Sequence, residues 1–132
     1  MNPQLLLFVA LGGAIGAVGR FVTMSAVGHV AHTFGWAAFP WGTLAVNVLG
    51  AFILGAVIEL SALVWSPSED IRAMVVVGML GAFTTFSTFS MDLYYLFDRG
   101  QMMAAGAYAV GSVLVCLLAF AAGLHIMRMI LT

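Results

Sequence analysis

Charge is what this sequence has least of. Only 7% of its 132 residues are charged, against roughly 25% in a soluble domain of ordinary composition. Lysine is missing altogether, and the basic residues are Arg20, Arg72, Arg99 and Arg128. A net charge of −1 argues against nucleic acid or acidic partners. Cys116 is the only cysteine, so an intrachain disulfide or a cysteine metal site is excluded. No Ser–His–acid set can be assembled, which argues against an enzyme. A basic N-terminal region is lacking too, so the first apolar run is expected to be a full span rather than a cleavable signal peptide.

Hydrocarbon takes the place of charge. Hydrophobic residues make up 64% of the chain. At about 20 apolar residues per crossing, the length allows four transmembrane helices with short loops. The expected spans run from about Gln4 to Gly28, Trp41 to Trp65, Pro67 to Phe97 and Met102 to Ile130, in one four-helix domain. Asn2 can cap the first span, with Pro3 in its first turn. Pro40 ends the first loop, and Trp41 suits a membrane interface. In the "SPSE" stretch, Ser66 is the expected cap, with Pro67 at the first position and Glu69 completing a capping box. "DRG" at 98–100 makes the last turn. Gly12 with Gly16, and Ala51 with Gly55, have the spacing of close helix packing.

Even spans place Arg72 and Arg128 on one side and Arg99 on the other, so the positive-inside rule gives almost no preference. Two readings follow: a weak bias dominated by the first helix, or insertion in both orientations, which permits an antiparallel dimer.

The third span contains "GAFTTFSTFS" at its middle. Thr, Ser and Phe are weak helix formers and Gly81 is weaker still, so a break near residues 81–88 is expected. Irregular backbone survives in a membrane only where protein or water surrounds it, and its freed carbonyls are ready cation ligands. The alternative is a straight helix whose hydroxyls bond back one turn.

Three polar groupings could carry chemistry. Thr43, Asn47 and Gly50 share a face of the second span. Asn is costly in hydrocarbon unless bonded or wetted, so Asn47 either lines a path or holds neighbouring helices together. Tyr108, Ser112 and Cys116 form a second semi-polar stripe. Phe86 and Phe89 share one face of the third span, with Thr85, Thr88 and Asp92 on another. A phenyl ring has a positive edge, and inward-facing edges attract an anion without a full charge. Conduction needs binding weak enough for release. Arg20 lies inside the first span, where it can pair with Asp92 or Glu59, cap freed carbonyls, draw anions to a vestibule or snorkel. His125 is given no catalytic role. The chemistry points to a small channel or transporter, weakly favouring an anion.

The segments "GGAIGAVGR", "GTLAVNVLGAF" and "GAFTTFSTFS" resemble the Fluc/CrcB family of bacterial fluoride channels, in the family's order and spacing over nearly the whole chain. The resemblance implies an all-α membrane protein of four helices, the third broken, forming an antiparallel dual-topology homodimer in the lipid of the bacterial inner membrane. It implies two fluoride pores, each built from both subunits. The phenyl pair corresponds to Phe86 and Phe89, the pore Asn to Asn47, and the hydroxyl track to Thr43, Tyr108 and Ser112. Ser87 and Thr88 fall in the break, either to coordinate the ion or to stabilise the turn. A structural Na+ at the dimer centre is implied on the backbone carbonyls of Gly81 and Thr84. Arg20 and Asp92 take vestibule or structural roles. Cys116 stands where relatives often have Ser or Thr, and Asp92 where they often have Glu. Passive export is implied: hydrogen fluoride enters, dissociates in the more alkaline cytoplasm and leaves as the anion. A dual-topology multidrug exporter is the main rival, but it needs an acid in the first span, which has Arg20 instead.

Overall fold

Apolar runs of bilayer length leave the backbone one option, because each amide must be satisfied within its own segment. The computed structural model describes residues 2–132, and these form helices with no strand among the described residues. Four helical stretches are long and apolar enough to cross a membrane. The first is α1 (Pro3–Thr33) and the second is α2 (Trp41–Leu63). The third, Glu69–Asp98, is composite: α3 (Glu69–Arg72), a π-helical stretch (Ala73–Leu80), α4 (Gly81–Phe83) and α5 (Phe86–Asp98). The fourth is α6 (Met102–Leu131). Many large apolar side chains of α1 and α6 point outward, among them Phe21, Leu118 and Met129, as befits a chain whose solvent is acyl chain. Phe89, Leu96, Ala105 and Tyr108 form the small internal core.

Helix ends follow local chemistry. The Asn2 side chain accepts from the Gln4 amide at 3.0 Å, and Pro3 opens α1. Gly28 does not end α1; the helix continues to Thr33. The stop is Gly35, which takes φ 73°. There the amides of Gly35 and Trp36 close on the carbonyls of His32 (3.1 Å) and Ala31 (2.7 Å), the paired bonds of a Schellman ending. Gly100, at φ 72°, ends α5 in the same way through bonds of 2.9 Å from Gly100 to Phe97 and from Gln101 to Leu96. The start of the third span differs from expectation. Its cap is Ser68, whose hydroxyl accepts from Ile71 at 3.4 Å, and α3 begins at Glu69. Ser66 and Pro67 lie outside the helix. Glu69 therefore sits first in the helix and cannot close a capping box with Ser66.

Close packing comes from glycine. A Cβ on Gly12 would run into the Met74 carbonyl, and one on Gly16 into the Met79 carbonyl. Both carbonyls belong to the π-helical stretch, whose wider turns need the clearance that α1 leaves. Gly78 faces the Val9 carbonyl in return. Between α2 and α6 the arrangement is reciprocal: Gly55 abuts the Phe120 carbonyl and Gly123 the Phe52 carbonyl. Ala51, the expected partner of Gly55, lines a cavity instead. The Glu59 carboxylate, 4% exposed, receives two bonds from Arg128, at 2.6 and 3.2 Å, and ties the same two helices near their C-terminal ends.

Gly12→Ala should therefore destabilise the fold by about 1–3 kcal/mol, the usual range for overpacking. Gly13→Ala, where an added Cβ meets nothing within 4 Å, should stay within about 0.5 kcal/mol of wild type. Unfolding in detergent checks both, and equal losses would show that the contact with the π-helical stretch is not tight.

Candidate functional site

The third span breaks at Thr84 and Thr85. Both are extended, at φ −83°, ψ 160° and φ −154°, ψ 121°. Weak helix formers make the break possible, and Asn47 of α2 fixes it. Its Oδ1 accepts from the Thr85 amide at 2.8 Å, and its Nδ2 donates to the Thr85 carbonyl at 3.0 Å. One side-chain amide thus replaces two backbone partners. The Thr85 hydroxyl then caps α5. It accepts from the Thr88 amide at 3.1 Å, donates to the Thr88 hydroxyl at 3.1 Å and lies 3.2 Å from that of Ser87.

Two carbonyls lose their ordinary helical partners by this diversion. The Thr85 amide cannot close on Gly81, and the Thr88 amide cannot close on Thr84. The Thr84 carbonyl receives only a 3.5 Å contact from Arg20 Nη1. Arg20 thus caps freed backbone and pairs with neither Glu59, held by Arg128, nor Asp92. Gly50 completes the setting, since a Cβ there would strike the Thr84 methyl.

Beside the break lies a cavity of about 410 Å³ whose wall includes Asn47, Thr84, Phe86, Phe89, Ser112 and Cys116. No charged side chain lines it. Phe86 is 78% exposed, while Phe89 is 9% exposed. Their ring centroids are 5.4 Å apart, and Phe89 lies 5.0 Å from Tyr108. Phe39 meets Tyr108 edge-on at 5.4 Å, and Trp41 follows Phe39 at 4.6 Å. Aromatic rings therefore run without interruption from the break to the start of α2. Beside this series the Asp92 carboxylate accepts from Thr43 at 2.5 Å and from Tyr108 at 3.3 Å.

A model of the family described as CrcB-like protein, Camphor Resistance (CrcB), matches residues 7–124. The chain belongs to the CrcB-like family. It is 49% identical over 126 residues to a Chelativorans protein named fluoride-specific ion channel FluC, covering 96% of this chain and 98% of that one. Proteins of the same name are 44% identical in Rhodospirillum centenum, over 95% of this chain and 96% of theirs, and 44% identical in Hahella chejuensis, over 99% and 100%.

In this CrcB-like chain the expected site residues fall into four places. Asn47, Phe86, Phe89 and Ser112 meet at the cavity, with Gly81 and Thr84 also in its wall. Thr43 and Tyr108 gather on Asp92. Ser87 and Thr88 bond within the turn through Thr85. Arg20 lies by a separate cavity with Phe21, Met24 and Ser25. The sequence reading grouped Thr85 with Thr88 and Asp92 without giving it the central place, and it missed Phe39. Thr85 is the hub of the break, and its Thr-x-x-Thr spacing ahead of α5 was a capping signal. Phe39 extends the ring series across the loop, and nothing local in the sequence marks it.

Asn47→Leu strands both polar groups of the Thr85 peptide, and each unsatisfied buried group costs about 1–3 kcal/mol. Hydrogen exchange at Thr85 should accelerate at least tenfold, with Asn47→Asp intermediate because it keeps the acceptor and loses the donor. Unchanged protection at Thr85 would show that Asn47 does not hold the break.

Proposed function

We propose that the chain is a fluoride-selective passive channel of the bacterial inner membrane, working as an antiparallel homodimer with two pores. The observation that carries the proposal is an uncharged cavity on which partial positive charges converge. Asn47 spends one N–H on Thr85 and keeps a second. The Ser112 hydroxyl has no protein partner. Phe86 and Phe89 stand beside both. A phenyl edge is weakly positive, so a dehydrating anion meets several weak donors and no site strong enough to trap it. The relatives' printed name supplies fluoride as the ion.

The exposure of Phe86 supports a second copy. A ring 78% exposed beside a cavity lined by the break gives an open wall that an antiparallel subunit closes. Thr43, Tyr108 and Asp92 then continue the polar route away from the phenyl pair, with Ser87 and Thr88 holding the turn. Arg20 adds positive potential near the break.

The family's Na+ has a fitting donor set. The Gly81 and Thr84 carbonyls have both lost helical partners, and backbone oxygens suit a hard cation. Arg20 reaches the Thr84 oxygen at only 3.5 Å, and a carbonyl has a second lone pair. A central cation would offset repulsion between two anion-filled pores. Flow is downhill: hydrogen fluoride enters, dissociates in the more alkaline cytoplasm, and the anion leaves through the channel.

Liposomes carrying the purified protein should lose fluoride rapidly and electrogenically while retaining chloride. Phe86→Ile should reduce that flux at least 100-fold without unfolding the protein. Absence of fluoride flux from folded wild-type dimer would overturn the proposal; normal flux in Phe86→Ile would overturn the role of the ring edges.

A further inference from the structure

One turn beyond Ser112 on α6, Cys116 joins the wall of the same cavity. Ser112 is 6% exposed and its Oγ is a buried atom without a hydrogen-bond partner. A thiol and an unspent hydroxyl thus lie at i and i+4 on one helix face, with the phenyl rings of Phe86 and Phe89 in the same wall. Cys116 itself is partly accessible and forms no disulfide.

The cavity's chemistry selects among cations. It holds no carboxylate, and burying an unpaired charge is costly. A hard cation favours backbone oxygens over sulfur. A soft monovalent cation behaves differently at a thiol. One sulfur–metal bond forms, the S–H bond breaks, and the proton departs to water, so that RSH + M⁺ gives RSM + H⁺ with no oxidation or reduction. The bound product is neutral. Thiolate sulfur prefers soft ions such as Cu(I). The Ser112 oxygen offers a second, weaker donor.

We propose that Cys116, with Ser112 beside it, is a binding site for a soft monovalent cation, and that its occupation blocks the ion path. The block rests on the channel reading; occupation of the thiol does not.

The test uses silver ion in chloride-free buffer, with wild-type protein and Cys116→Ser in liposomes. Intact-protein mass spectrometry after maleimide treatment reports whether silver protects the thiol. A fluoride electrode reports flux, each protein being compared with its own untreated rate. Silver should protect Cys116 and lower wild-type flux at least tenfold, and should change Cys116→Ser less than twofold. Ser112→Ala should raise the silver concentration needed for half-block several-fold. Failure of silver to protect the thiol would overturn the site. Protection with undiminished flux, or equal inhibition of Cys116→Ser, would overturn the block. Absence of flux in untreated protein would instead overturn the channel reading, and thiol protection would still decide the site.

Discussion

The reciprocal pair between Asn47 and the Thr85 peptide is the contact on which the rest of the site depends. A helix inside hydrocarbon cannot simply stop, because its free amides and carbonyls have no water to turn to. Here one side-chain amide supplies both a donor and an acceptor to the backbone of a single residue. That substitution permits two consecutive extended residues. It frees the Gly81 and Thr84 carbonyls, starts α5 at Phe86, and so determines where the phenyl pair lies. Asn47 therefore joins two helices, one of its two sequence readings, and it also stands in the wall of the cavity.

Packing serves the same end at a distance. The π-helical stretch leads through the short α4 into the break, and its carbonyls fit against α1 because α1 offers Gly12 and Gly16. On the far side, Gly55 and Gly123 bring α2 against α6, which places Asn47 and Ser112 in one wall. Lacking a hydrophobic drive between helices in lipid, such a bundle depends on close backbone approach and on a few polar ties. Glu59 with Arg128 is one such tie.

Much of this was legible in the residues. Apolar runs gave four spans, and weak helix formers at 81–90 located the break, because both signals come from local composition. The glycine pair of α1 was readable for the same reason. Other features depend on which segments meet. The π-helical stretch "AMVVVGML" is uniformly apolar, and nothing in it distinguishes one helical pitch from another. Arg20 had several carboxylates within plausible reach, and only the packing shows that Arg128 and the hydroxyls of Thr43 and Tyr108 occupy them. At the start of the third span, two serines competed for one cap, and proline at 67 drew the expectation two residues too early. The motif's likeness to a known family named the expected site residues; the hydrogen bonds show what several of them hold.

Asn47, Thr85, Ser87, Thr88 and Arg20 give the break hydrogen bonds from the subunit's own helices. The irregular backbone is therefore braced from inside the subunit rather than left as a loose segment. A surface braced in this way has less conformational entropy to lose when another surface docks on it.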